Sequence, residues 1–149
     1  MKRLLPITLY LSIANASSMP FDKTGLIDLK NEGTRRGSCI SISTGADLAS
    51  NMLVLVTTQM SVKTNQAKWQ KEKDIQKYTQ LGKLSEYFSD ALVRNEAADI
   101  PPNQMEDYTK ARLNPKPMEL ASKNPQLVLD AFDQCLKGYN INKERFVRY

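Results

Sequence analysis

The sequence predicts an all-α fold, a small helical bundle of four or five helices closed by one disulfide. Three observations carry that expectation. Apolar residues recur at spacings of three and four over most of the chain. Helix start and stop residues fall where those patterns begin and end. Two cysteines, Cys39 and Cys135, lie far apart in a chain that opens like an exported protein.

The opening is Met1-Lys2-Arg3, then a largely apolar run over 4–13, then Ala14-Asn15-Ala16. A basic start, an apolar stretch of about ten residues and a small-x-small cleavage site make a secretory signal, with the cut expected after Ala16. The run is well short of the roughly 20 residues that cross a bilayer, which speaks against an uncleaved anchor. Residues 17–149 are then one domain, expected to be periplasmic or secreted. Without Lys2 and Arg3 the chain carries 19 basic against 16 acidic residues, so the net charge falls from +5 to +3. That balance gives no reason to expect nucleic acid as a partner.

In an oxidising compartment a lone pair of cysteines forms a disulfide. Cys39 and Cys135 are therefore expected to bond and to be structural. With no histidine in the sequence, two distant thiols offer little to a metal, and no metal or cofactor is expected.

Residues 17–38 are punctuated by Gly25, Gly33 and Gly37 and read as an irregular lead-in. From 41 to 62, Ile42, Ala46, Ala49, Leu53, Val56 and Met60 mark one face of a helix, widened by Leu48, Met52 and Leu55. Gly45 weakens its first turn, so the start is expected just after it. The unbroken apolar run 52–56 suggests a central helix; a buried strand competes there, but the length of the pattern favours helix. A second helix is expected over 67–97, striped by Ile75, Tyr78, Leu81, Leu84, Phe88 and Leu92. Asp99-Ile100-Pro101-Pro102 breaks the chain, a short helix follows over 102–113, and residues 118–122 can make a turn or two. Asn124-Pro125 starts the last helix, with Asn as N-cap and Pro in the first turn, and Gly138 is placed to end it. Residues 139–149 form a basic, aromatic tail.

The absence of histidine excludes Ser-His-Asp and Cys-His catalysis in their usual forms. Carboxylate-pair chemistry survives, as in a cell-wall-active glycosidase; Glu86 and Asp90, one helical turn apart, and Glu106 with Asp107 are its candidates. Solvated carboxylates are the plainer reading, and no catalytic residue is assigned. The mixed basic and aromatic segment from Lys68 offers Trp69, Lys73, Lys77 and Tyr78 as partner-binding residues, with Trp69 the natural anchor. A solvated helix face is the plainer reading here too. The favoured function is an exported, non-enzymatic protein-binding factor of the bacterial envelope, of immunity, secretion-accessory or chaperone type. Its partner would be a protein of the same compartment, and its oligomeric state is left open.

Overall fold

The computed structural model describes residues 24–64, 67–94 and 100–147. The expected signal, 1–16, lies outside them. Five α-helices are present among the described residues: α1 (Glu32–Thr64), α2 (Lys68–Arg94), α3 (Met105–Arg112), α4 (Lys116–Lys123) and α5 (Pro125–Gly138). A 3₁₀ turn at Pro102–Gln104 leads into α3, and another, Lys143–Arg145, follows α5. The fold is all-α, and Cys39 and Cys135 are bonded.

The chain makes four legs, of which α3 and α4 together form the third. α1 is the hub and packs on every other helix. Residues 33–43 of α1 are buried without a break, so this stretch is surrounded on all sides. What lets neighbours come so close is a run of small residues every four positions: Gly33, Gly37, Ser41 and Gly45. A Cβ on Gly33 would meet the Gln104 carbonyl at 2.8 Å, and one on Gly37 would meet Tyr108 and Ala111. Ser41 Oγ donates to the Asn114 carbonyl at 2.6 Å, and a Cβ on Gly45 would sit 2.8 Å from Pro117. Partners 104, 108, 114 and 117 rise with 33, 37, 41 and 45, so the third leg runs in the same direction as α1.

This corrects the expected lead-in. Its last part, from Glu32, is helix, and Gly33 and Gly37 are contact residues rather than chain breaks. Gly45 likewise lies inside α1 and does not delay its start. Within the described part of that lead-in, residues 24–31 lack regular structure, and they are pinned to the bundle. Lys30 Nζ and Asn31 Nδ2 both donate to Asp107 Oδ2 at 3.1 Å, and the Asp28 N–H donates to Ser38 Oγ at 3.0 Å.

The core is completed by Leu81, Leu84, Phe88 and Leu92 of α2 and Val128, Leu129, Ala131, Phe132 and Leu136 of α5. Phe88 meets Phe132 and Tyr139 edge-on, each at 5.7 Å, a favoured arrangement of ring quadrupoles. Three of the buried serines cost little because the hydroxyl donates to a carbonyl of its own helix: Ser43 to Ile40, Ser50 to Ala46 and Ser85 to Gly82. α5 starts as its sequence indicates, with Asn124 Oδ1 accepting from the Leu127 N–H. It ends at Gly138, but the left-handed residue is Asn140 (φ 57°), and the Ile141 N–H returns to the Leu136 carbonyl at 2.9 Å. The expected tail is not a free tail over its described part: Tyr139 and Ile141 pack on the core and Val147 is buried.

A second correction concerns the far half of α1. α1 is the central helix, as expected, but the run 52–56 that suggested it lies outside its buried part. Among described side chains, burial in α1 stops at Ser50, and in α2 it starts at Leu81. Between those points the two helices form an arm beyond the core, with Leu53, Val54, Thr57, Ile75 and Tyr78 half-buried. Leu55, Val56 and Met60, expected on or beside the core face, are 57%, 41% and 52% exposed. The segment Glu32–Met60 is long and apolar enough to cross a membrane by length and composition, but half of its qualifying window is buried inside the bundle.

Candidate functional site

The partner-binding candidates all lie on the arm part of α2. Trp69, Lys73 and Lys77 stand four residues apart and share a stripe, since each step of four turns the helix by only about 40°. Trp69 is 62% exposed, and the Lys73 ammonium lies 5.7 Å from the centre of its ring. That is a cation–π contact on a surface already facing water. Tyr78 belongs to another side of α2: it is half-buried against the core, with Lys77 Nζ 5.5 Å from its ring centre. Burial, with Asp74 adding to it, raises the Tyr78 pKa above the ordinary phenol value. The structure therefore pairs Trp69 with Lys73 on the exposed stripe and Lys77 with Tyr78, whose ring turns to the core.

Lys77 and Tyr78 also edge a small cavity of about 110 Å³ shared with Leu129, Phe132, Asp133 and Lys143. Asp133 accepts from Lys137 at 2.9 Å and from Lys143 at 3.2 Å. Burial opposes its ionisation, but those two cations prevail and hold its pKa below the usual carboxylate value. The cavity is thus floored by an internally neutralised carboxylate and is too small for more than a few waters.

The carboxylate candidates are not brought together. Glu86 and Asp90 are exposed on α2 and line neither the Lys77–Lys143 cavity nor the groove along residues 25–30. Glu106 pairs with Lys110 at 2.7 Å. Asp107 is occupied by Lys30 and Asn31, whose hydrogen bonds lower its pKa. Its role is to fasten residues 30–31 to α3. Glu86 does act across the helix crossing on Asp47, whose pKa is raised by burial first and by Glu86 second. Among the described residues no group of three potential metal ligands occurs.

The most strongly perturbed group is structural. Glu32 Oε2 accepts from Arg35 Nε at 3.1 Å and Nη2 at 2.8 Å, with Arg36 Nη2 3.6 Å from Oε1. The Arg35 guanidinium lies 4.6 Å over the Tyr139 ring. The Tyr139 ring is only half-buried, but its hydroxyl is sealed from water. Burial pushes its pKa up to about 12, against the opposing charge of Arg35. A phenol held neutral in the folded chain stabilises it fully below pH about 10, and that stability is lost as pH rises from about 10 to 12. Tyr139 is therefore expected to ionise late, near pH 12, in an ultraviolet titration of the folded protein. Tyr139→Phe should remove that last step, and a tyrosine titration complete near pH ~10 would refute the assignment.

No family model matches the chain, and no significant match to it is found among curated proteins or solved structures.

The sequence reading missed one surface, the exposed Leu55, Val56 and Met60 of α1. A signal was present: no charged residue occurs between Asp47 and Lys63, so the apolar band is wider than one packed face needs.

Proposed function

We propose that this chain is an exported, non-enzymatic binding protein of the bacterial envelope that engages a protein partner through the outer stripe of α2. The observation that carries this reading is Trp69. A residue of that size and exposure, flanked by Lys73 and Lys77, fits a partner with an acidic surface and a notch for an indole ring. The disulfide suits an oxidising compartment and supports export. An immunity protein, a secretion accessory factor and a chaperone remain within this reading.

The test is a pull-down from envelope extract of the native source, comparing the native chain with Trp69→Ala and Lys73→Glu. A discrete partner held by the native chain, with affinity reduced at least about tenfold in Trp69→Ala, is expected for an anchoring indole. Both variants should keep the native circular dichroism, because neither residue is buried. A partner bound equally by all three chains, or no specific partner at all, overturns the reading.

A further inference from the structure

We propose that the root of the arm is an acid-tightened clasp, in which Asp47 of α1 and Glu86 of α2 meet across the helix crossing as a like-charged pair. Asp47 is the only charged residue of α1 between Arg36 and Lys63. It stands in the last core turns before the arm, between the buried Ala46 and Ala49 and three residues before Ser50. Gly82 of α2 packs on this turn: a Cβ there would lie 3.1 Å from Asp47 Oδ1 and 3.7 Å from the Ser50 Cβ. The missing side chain lets the carboxylate rest against α2, where it is half-buried. Glu86 follows Gly82 by one helical turn on the same side of α2, and its charge reaches Asp47. Neither carboxylate accepts a hydrogen bond or joins an ion pair among the described residues. Ionised, the pair costs the folded chain twice, through lost hydration of Asp47 and through repulsion by Glu86.

The other charges on the elements packed around α1 do not relieve the pair. On α2, Lys83 and Asp90 are exposed, and Lys83 bonds to neither carboxylate. On α5, Asp130 accepts from Gln126, and Asp133 from Lys137 and Lys143. The charges of the third leg, such as Lys110, Lys116 and Glu119, belong to the other side of α1. Asp47 is turned about 200° from Gly45, the position against which Pro117 packs. Glu86 is the charge that acts on Asp47. One proton taken up from water makes Asp47 neutral. The repulsion then ends, and the carboxyl gains an O–H able to donate towards Glu86. Because the Asp47 pKa is raised, its stabilisation is fully present below the ordinary carboxylate value and is lost as pH rises through the raised one. Asp107 and Asp133, held low by their own partners, stay ionised over that range and do not mask the change. Acid therefore fastens the arm to the core at its root, and neutral pH leaves it looser. This device does not rest on Trp69 having a partner.

Urea unfolding of the native chain, Asp47→Asn, Glu86→Gln and the double variant, at pH ~4 and pH ~7, tests this. Asp47→Asn should match the native chain at pH ~4 and show an unfolding constant at least about threefold smaller than the native one at pH ~7. The gains of the two single substitutions at pH ~7 should not add, because each removes the same repulsion. Amide hydrogen-exchange protection over 75–86 should rise on acidification more in the native chain than in Asp47→Asn. If Asp47→Asn does not fold, Glu86→Gln, a change at an exposed position, decides the matter through the same pH-dependent difference from the native chain. A difference between native and variant that is absent or unchanged with pH overturns the proposal, as do strictly additive gains. So does stabilisation of the native chain at pH ~7 by millimolar calcium that Asp47→Asn loses, which would make the pair a cation site.

Discussion

Replacing Cys39 and Cys135 together by alanine is expected to lower the free energy of unfolding by about 4–5 kcal/mol, measured by urea unfolding of the oxidised native chain beside the variant. The two cysteines are 96 residues apart, and both are fully enclosed by α1 and α5. Closing a loop of that length restricts the unfolded chain far more than the folded one, which is where the stabilisation arises. The folded state gives up little beyond two buried sulfur atoms. A difference under about 1 kcal/mol would show that the unfolded chain is already compact enough for the bond to constrain little.

Gly37→Ala is expected to be the most damaging single-methyl addition, costing about 2–3 kcal/mol net. The added carbon would press on the Tyr108 carbonyl and stand 2.8 Å from both the Ala111 Cβ and the Arg112 nitrogen. Two of these contacts are backbone and cannot rotate away, so α3 must move as a unit. A gain of about 1 kcal/mol in helix propensity is included in that net figure. Gly82→Ala is the internal control. There the new carbon meets the Asp47 carboxylate at 3.1 Å, the free end of a side chain. Its effect should lie between neutral and a gain of about 1 kcal/mol. Equal losses at Gly37 and Gly82 would remove crowding by α3 as the cause.

How legible these features are in the sequence follows from what each depends on. α5 is readable because its signals are local: Asn124 caps, Pro125 opens, and the apolar spacing from Leu127 to Leu136 does the rest. The start of α1 is not, because glycine is read as a break when only the chain itself is considered. Its meaning changes once Gln104, Tyr108, Asn114 and Pro117 press against the same side. The interval of four from Gly33 to Gly45 was the available clue. For the candidate site, the residue types were readable and their grouping was not. Trp69, Lys73 and Lys77 align by helical geometry alone, whereas the inward position of Tyr78 depends on where α2 meets the core. Leu55, Val56 and Met60 show the converse limit. An apolar pattern says that a face is to be covered, and it does not say whether the cover comes from the same chain.

The disulfide also has a consequence for the covalent layout of the arm. Cys39 precedes the arm in sequence and Cys135 follows it, so the whole hairpin lies within the ring that the bond closes. A single peptide cleavage at the far end of the arm, between α1 and α2, would open that ring without releasing either piece. The N-terminal fragment would keep the buried half of α1, and the C-terminal fragment would keep α2 to α5, with one sulfur–sulfur bond still joining them. The arm can therefore be nicked while the two halves of the core stay tethered at their point of closest contact.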